Sequence, residues 1–413
     1  MTRLPLELAY IIIEEAQYRD CLPCCKWLRN YALVCRDWCT YSQRLLFQRI
    51  TLLGGSKQCE RLVAALSGSH SNDLKHTRYL RNCVRTLEIR TMDHQPIYID
   101  AILLCPKLFE LDVRLCHAWF RPEMLDRLQH EGPKIQALHI RSAYYKPMYQ
   151  LCEAFSTIQY LSLDARSTRS DCTSFTPSWK LKELRLLSIP QVAPVLIEWA
   201  LSSPNAQEHL EILHLNVPAP PPLFSELNFT KIRSLHVREI NVEDLQCLGN
   251  LEEIAFRVFP PSREVLDALP LTVHHILLPS IVECLDEVLE GLRAYQARSS
   301  GSLHWLTYTR LSPNACSVKQ KDVKSLRVFC HLNDIQFTLM DPPYGTVPGE
   351  IEPLGGTAEL PRRLPISSRR RKLPTVLDCD EDTVSGKRTI MRRFITFAKD
   401  SAARLTMSGV SEQ

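Results

Sequence analysis

Short strand-like segments recur along most of the chain, and each contains two apolar residues separated by one other residue. Eight segments show this pattern clearly: VRTLEIR, LFELDVR, IQALHIR, IQYLSLD, LKELRLL, LEILHLN, IRSLHVR and LEEIAFR. The first apolar core residue of each segment falls at Leu87, Leu111, Leu138, Leu161, Leu184, Leu213, Leu235 and Ile254. Successive positions are 19 to 29 residues apart, so the chain is built from copies of one irregular unit.

Weaker copies continue the pattern at 273–279, 303–309 and 335–340. Several segments between the strands carry helical spacing, as at Met124 and Leu128. A unit of one strand and one helix cannot bury its apolar face alone, but stacked units share a continuous core. The period matches that of leucine-rich repeats. For residues 84–340 we therefore predict an α/β fold, a curved leucine-rich-repeat solenoid with a parallel β-sheet.

The two ends of the chain have a different texture. Residues 1–50 predict three short helices, and 51–83 are expected to form a linker or the first cap of the solenoid. Residues 341–413 are rich in Pro, Gly, Ser and Arg and lack periodic apolar positions over most of their length. This composition is typical of disorder, so we expect a largely disordered tail with one candidate helix at 391–405.

The N-terminal stretch resembles an F-box. LPLELAYIII at 4–13 supplies a Leu-Pro start and an apolar first helix, and YALVCRDWCTYSQRLLFQRITL at 31–52 supplies an L-V-C-R-x-W segment and an apolar third helix. The link between the first two helices is longer and richer in cysteine than the family pattern. Followed by repeats, the chain looks like the fungal F-box proteins with irregular leucine-rich repeats.

Members of that family are non-catalytic substrate receptors of Skp–cullin–RING ubiquitin ligases. The resemblance implies a protein that is not an enzyme, needs no cofactor, and joins a Skp-type adaptor and cullin scaffold to a protein target. The residues that would form or support the adaptor interface are Leu4, Pro5, Leu8, Ile12, Leu33, Val34, Trp38, Leu45 and Leu46. The alternative is an interaction scaffold in which the F-box-like helices only cap the solenoid.

The target site is predicted from the strand pattern. The two core residues of each strand face inward, so the residues between and just after them emerge on the opposite, concave face. The candidate target-binding residues in these positions are Arg90, Arg114, His139, Arg141, Arg185, His214, His236, Arg238 and Arg257. Guanidinium groups match carboxylate and phosphate, so the target would be acidic or phosphorylated. The alternative is that Arg90 and Arg114 pair with Glu88, Asp112 or neighbouring acids and the face is merely soluble.

Charge and hydropathy narrow the class of protein. The net charge is +4 and the charges are interleaved, so nothing demands nucleic acid. The basic run 369–372 fits either a nuclear-import or nucleic-acid patch or a solvated cluster. No apolar stretch approaches the roughly 20 residues of a membrane helix, and the N-terminus is no signal peptide. We expect a soluble protein, cytoplasmic or nuclear or both, with no membrane partner.

Cysteine usage and motif searches point away from metal and catalysis. The 16 cysteines are scattered without a paired rhythm, which favours a reduced intracellular protein. Cys21, Cys24 and Cys25, with Cys35 and Cys39 downstream, have spacings that zinc ligands use, but the last two fall in the helical part and structural cysteines are favoured. The sequence shows no phosphate loop, no zinc-protease motif and no nucleophile–base motif.

Overall fold

The computed structural model describes residues 5–16, 18–19, 22–23, 25–52, 56–68, 74–91, 96–116, 120–165, 176–187, 193–201, 203–216, 224, 229–279, 285–309 and 319–340. The described residues fall into two compact units, 5–46 and 47–340. Leu4, the tail 341–413 and its candidate helix lie outside the described residues.

The described residues of the smaller unit form three helices, the number that the sequence predicts. They are α1 (Leu6–Ala16), α2 (Cys25–Tyr31) and α3 (Arg36–Gln48), the last of which runs on to the start of the second unit. Two short antiparallel strands, β1 (Tyr18–Arg19) and β2 (Leu22–Pro23), lie between α1 and α2. Tyr10 of α1 stacks on Tyr41 of α3 with ring centroids 3.9 Å apart, which ties the first helix to the third.

The described residues of the larger unit form one sheet of twelve strands. In chain order they are β3 (Arg49–Leu52), β4 (Thr86–Thr91), β5 (Glu110–Leu115), β6 (Ala137–Ser142), β7 (Tyr160–Ala165), β8 (Glu183–Leu187), β9 (Ile212–Leu215), β10 (Ser234–Val237), β11 (Glu253–Phe256), β12 (His275–Leu278), β13 (Trp305–Thr309) and β14 (Gln336–Met340). The order in the sheet follows the sequence, and every neighbouring pair is parallel. The predicted parallel sheet is therefore confirmed, and all eleven predicted strands belong to it.

Helices lie between most of the strands along the chain. They are α4 (Ser56–Ser67), α5 (Leu74–Cys83), α6 (Ile97–Leu103), α7 (Pro122–Glu131), α8 (Tyr145–Ala154), α9 (Ala193–Leu201), α10 (Pro204–His209), α11 (Val242–Gln246), α12 (Arg263–Asp267), α13 (Leu285–Arg298) and α14 (Lys319–Leu332). Crossovers between parallel strands share one hand, so helices joining strands in sequence order belong on one face of the sheet. Helix residues such as Leu128 and Leu292 join the same apolar core as the strands.

The sheet begins earlier than the Leu-x-Leu pattern indicates. Ile50 of β3 pairs with Leu87 of β4, so residues 49–52, at the end of the F-box-like stretch, already form the first strand. The segment RITL has only two apolar residues, at 50 and 52, and no copy of the repeat precedes it. The segment is strand-like in sequence, but the Leu-x-Leu pattern predicts a start of the solenoid only at residue 84.

One continuous apolar core runs along one face of the sheet. It extends from Leu52 to Leu339 and contains the first core residue of each of the eight clear repeats, all of them buried. Alternation along each strand puts the next residues on the opposite face, which carries most of the buried polar side chains. Within the described residues, no helix is long and apolar enough to cross a membrane.

Candidate functional site

The first helix of the smaller unit is apolar on two sides. Ala9 and Ile13 are buried within the unit. Leu8, Ile11 and Ile12 lie on the surface with 37 to 54% of their area exposed. Apolar side chains that cluster on a protein surface commonly mark an interaction site, so this exposed stripe has the character of a binding surface.

The turn between α2 and α3 adds two more apolar side chains. Leu33 is 86% exposed and Val34 is 58% exposed, and both follow directly after α2. Trp38, one turn into α3, is half-buried and meets Tyr31 edge to face at 5.9 Å. The turn therefore presents its apolar residues to the surface while the tryptophan helps to hold the helices together.

Eight of the nine predicted adaptor residues lie in the described part of this unit, and Leu4 lies outside it. Pro5 is exposed before α1, and Leu45 and Leu46 are half-buried on α3. Among the described residues, half of the large exposed apolar side chains fall between 6 and 34: Leu6, Leu8, Ile11, Ile12, Trp27, Leu33 and Val34. Apolar surface is thus concentrated in a short part of the chain.

The second candidate surface is the face of the sheet opposite the apolar core, called here the polar face. Its side chains form three columns that run across the strands. The first column holds the residue before the first core residue of each strand, the second the residue between the two core residues, and the third the residue after them. Register confirms the predicted alignment in the second column, where Glu88 pairs with Asp112, Asp112 with His139, and Arg185 with His214.

The first column supplies acidic residues that the sequence analysis missed. Glu110, Glu183 and Glu253 each precede a core residue by one position. Strand alternation alone places that position on the same face as the residue two places later, so the signal was present in the sequence. Only the positions between and after the core residues were considered, and the acids that balance the predicted cations were overlooked.

These acids pair with several of the predicted target-binding residues. Glu110 Oε1 lies 3.1 Å from His139 Nε2, and Glu183 accepts a hydrogen bond from Arg185. In the second column, Glu88 Oε1 lies 2.6 Å from Arg114 Nη2. The alternative that arginines pair with neighbouring acids is therefore confirmed for Arg114.

Four predicted target-binding residues are buried rather than exposed: Arg185, His214, His236 and Arg257. His214 stacks on His236 with ring centroids 3.6 Å apart, so neighbouring strands cover one another's side chains. Arg90 and Arg141 lie on either side of Arg114 in the third column, where Arg90 Nε approaches Cys116 Sγ at 3.4 Å. That these residues bind a target stays a prediction.

A buried hydrogen-bond network is centred on the carboxylate of Glu253. Oε1 accepts from Ser234 Oγ at 2.7 Å and lies 3.1 Å from His236 Nε2, while Oε2 lies 2.7 Å from His275 Nδ1. A carboxylate can only accept hydrogen bonds, so Nε2 of His236 and Nδ1 of His275 each carry a proton. Arg257 Nη2 lies 2.5 Å from the other nitrogen of His236, Nδ1, which must therefore be the acceptor of a neutral ring.

The pKa values agree with this assignment. Burial, together with the nearby Arg257, lowers the pKa of His236 to about 4 despite its hydrogen bond to Glu253. Burial alone would raise the pKa of Glu253, but the hydrogen bonds from His236 and His275 hold it well below its usual range. Burial and the charge of Arg185 lower the pKa of Arg257 to about 10. At neutral pH the network thus holds a charged glutamate, a charged arginine and a neutral His236.

The network contains one hydroxyl–imidazole–carboxylate series, because His275 Nε2 lies 3.0 Å from Thr307 Oγ1 while His275 Nδ1 lies 2.7 Å from Glu253 Oε2. Thr307, His275 and Ser234 are each at most 1% exposed, so neither hydroxyl of the network is open to a substrate in this structure. In the described part of the chain, no three His, Cys, Asp or Glu side chains are placed to hold a metal ion, and the cysteines whose side chains the structure describes form no disulfide. Because its members are buried and hydrogen-bonded to one another, the network is suited to holding neighbouring strands rigidly.

Acid should destabilise the larger unit through His236. The pKa of this histidine is about 4 when folded against 6.5 as the ordinary value, so the unfolded chain binds the proton more tightly. The free energy of unfolding therefore decreases as the pH falls from the unfolded pKa towards the folded one, by about 2 kcal/mol between about pH 7 and about pH 5. Denaturant unfolding at the two pH values measures this loss.

A variant comparison assigns the pH effect to one residue. His236→Gln removes the titrating ring and should flatten the dependence of unfolding free energy on pH. His130→Gln changes an exposed histidine on α7 and should leave the dependence as in the wild type. Equal slopes in all three proteins would show that His236 is not responsible.

No protein-family model matches the chain, and no curated protein matches it.

Proposed function

We propose that the protein is the substrate-recognition subunit of an SCF-type ubiquitin ligase. The smaller unit binds a Skp-type adaptor, and the polar face of the larger unit holds the protein target. Ubiquitin transfer is carried out by other subunits, and this subunit is non-catalytic. The proposal rests on the resemblance of residues 4–52 to an F-box and on the binding surfaces described above.

The exposed apolar surface of the smaller unit is the observation that carries the proposal. Leu33 and Val34 are exposed in the same segment that resembles the L-V-C-R-x-W part of the F-box. A helix cap that only shields a solenoid should have a polar outer surface. Exposed apolar residues on α1 and on the turn instead favour a partner that covers them, as in recognition of helices by a groove.

The larger unit supports the second half of the proposal. Twelve parallel strands in sequence order, most of them joined by helices and eight of them spaced like leucine-rich repeats, support a repeat solenoid. Solenoids of this kind use an extended concave sheet as a binding surface. The polar face would be that surface, because the other face is filled by the apolar core.

Replacing an exposed apolar anchor should remove adaptor binding without unfolding the protein. Leu33→Asp introduces a charge at a side chain that is 86% exposed, so stability should hold. Loss of an interface anchor typically costs about 2 kcal/mol or more, which corresponds to roughly 30-fold weaker binding. The measurement is co-purification and titration of the tagged full-length chain with the Skp adaptor.

Leu332→Asp is the matched control, because Leu332 is 77% exposed on α14 of the larger unit. It should bind the adaptor like the wild type. If folded Leu33→Asp retained full adaptor binding, the turn would not be part of the interface. If the wild-type chain brought down neither Skp nor cullin, the alternative of a scaffold would stand.

A further inference from the structure

Some of the predicted target-binding cations on the polar face already have acidic partners, which makes them weaker candidates for binding a target. Arg114 is held by Glu88, and Arg185 by Glu183. His139 is held by Glu110. Of the other predicted arginines, Arg90 and Arg141 lie beside Arg114, while Arg238 and Arg257 are neighbours after β10 and β11.

Arg238 and Arg257 lie side by side after β10 and β11. The Arg257 N–H donates to Val237 O at 2.8 Å, so the parallel pairing continues one residue beyond both strands. Their side chains therefore both emerge on the polar face, at the spacing of adjacent strands, about 4.8 Å. Arg257 is buried against His236, whereas Arg238 is partly exposed.

Among the described residues, the polar face of β8 to β11 carries one more cationic than acidic side chain. On the polar face of β8 to β11 and the residues that directly follow them, the described charged side chains are Glu183, Arg185, Arg238, Glu253 and Arg257. Arg185 forms an ion pair with Glu183, and the charge of Glu253 favours the ionised form of Arg257. The unbalanced charge is that of Arg238.

Arg238 also has donor capacity that the described residues do not use. Its Nε is buried, yet it makes no hydrogen bond within the part of the chain that the structure describes. A buried donor without an acceptor is costly, so a ligand that supplies an acceptor gains that energy on binding. The carboxylate of Glu239, the next residue, is exposed and its charge is screened by water.

An apolar contact lies directly beside this donor. The Arg238 guanidinium carbon lies 5.9 Å from the centre of the Phe259 ring. Phe259 is 50% exposed, and the adjacent Val258 is exposed as well. Arginine and aromatic residues are enriched among the side chains that dominate binding energy at interfaces. The exposed ring therefore offers a contact surface for an apolar side chain of the ligand, beside the ligand group that would bind Arg238.

We propose that Arg238, with Phe259 and Val258, is the specificity site for the target and takes an Asp or Glu side chain adjacent to an apolar residue. A carboxylate carries one negative charge and matches the single unbalanced cation. A phosphate carries about −1.5 to −2 at neutral pH and would exceed it. This inference rests on the proposal that the polar face holds the target.

Selection from a random peptide library displayed on phage, with the purified full-length chain as bait, tests the inference. Enriched peptides should share an acidic residue next to an apolar one. For an enriched peptide, Arg238→Ala should weaken binding by about tenfold or more, and so should replacement of the peptide's acid by its amide. The two changes combined should cost no more than either alone, because they remove the same contact.

Reversal of charge gives the sharpest readout. Arg238→Glu should lose the acidic peptide and gain a version in which lysine replaces the acid. Phe259→Ala should weaken binding whichever charge the peptide carries. Arg293→Ala removes an exposed arginine on α13 and should leave binding unchanged.

Several outcomes would overturn the inference. These are enriched peptides without acids, wild-type affinity in Arg238→Ala, or tighter binding when phosphoserine replaces the acid. The assay contains no adaptor, and Leu33→Asp should bind the peptide as the wild type does. Failure here would thus leave the adaptor half of the proposed function intact, and failure of adaptor binding would leave this site intact.

Discussion

Glu253→Gln should lower the free energy of unfolding of the larger unit by about 3–5 kcal/mol, because it breaks a buried charged network by changing one member. The carboxylate receives hydrogen bonds from Ser234, His236 and His275. Glutamine keeps the shape but turns one acceptor oxygen into a donor that faces other donors. Arg257 also loses the negative charge that favours its ionised form.

The neighbouring residue gives a matched control for this substitution. Glu252 forms two hydrogen bonds with Arg233, at 2.7 and 2.8 Å, but both side chains are 29% exposed. Glu252→Gln should cost less than about 1 kcal/mol, since exposed ion pairs contribute little. Denaturant unfolding of both variants measures the difference. Equal losses at the two positions would contradict the dominant role given to the buried network.

The strands could be predicted because their signal is local. The pair Leu161 and Leu163 needs only the alternation of one strand to be assigned to the core, and both residues are buried there. The alignment of side chains across strands followed from the same pattern, since equivalent positions of stacked repeats come into register. Fold class and the identity of the columns were therefore accessible from sequence.

The pairing within the polar face could not be predicted in the same way. Glu253 meets His236 on the strand before it and His275 on the strand after it, so its partners lie 17 and 22 residues away in units of unequal length. Which cation each acid takes depends on side-chain reach across the sheet. The burial of each cation also depends on its neighbours across the sheet. Arg185, in the second column, is covered by them, while Arg238, in the third column, stays partly exposed.

Trp179 shows the limit of periodic reasoning in the apolar core. It lies in the segment 176–182, which contains neither helix nor strand, yet it is only 1% exposed. Its Nε1–H donates to Phe155 O at 3.0 Å, and its ring meets Trp199 edge to face at 5.5 Å. No repeat position marks this residue, because it fills a space between repeats rather than a place in the pattern.

Trp179→Ala should therefore lower the free energy of unfolding by about 3–5 kcal/mol, through lost burial and the cavity that remains. Trp179→Phe keeps part of the ring but leaves the Phe155 carbonyl without its donor, so about 1–3 kcal/mol should be lost. Phe259→Ala removes a half-exposed ring from the same unit and should cost less than about 1 kcal/mol. Denaturant unfolding of the three variants gives the order. If Trp179→Ala were no more destabilising than Phe259→Ala, the segment 176–182 would not be packed into the core, and the continuity of that core between β7 and β8 would have to be revised.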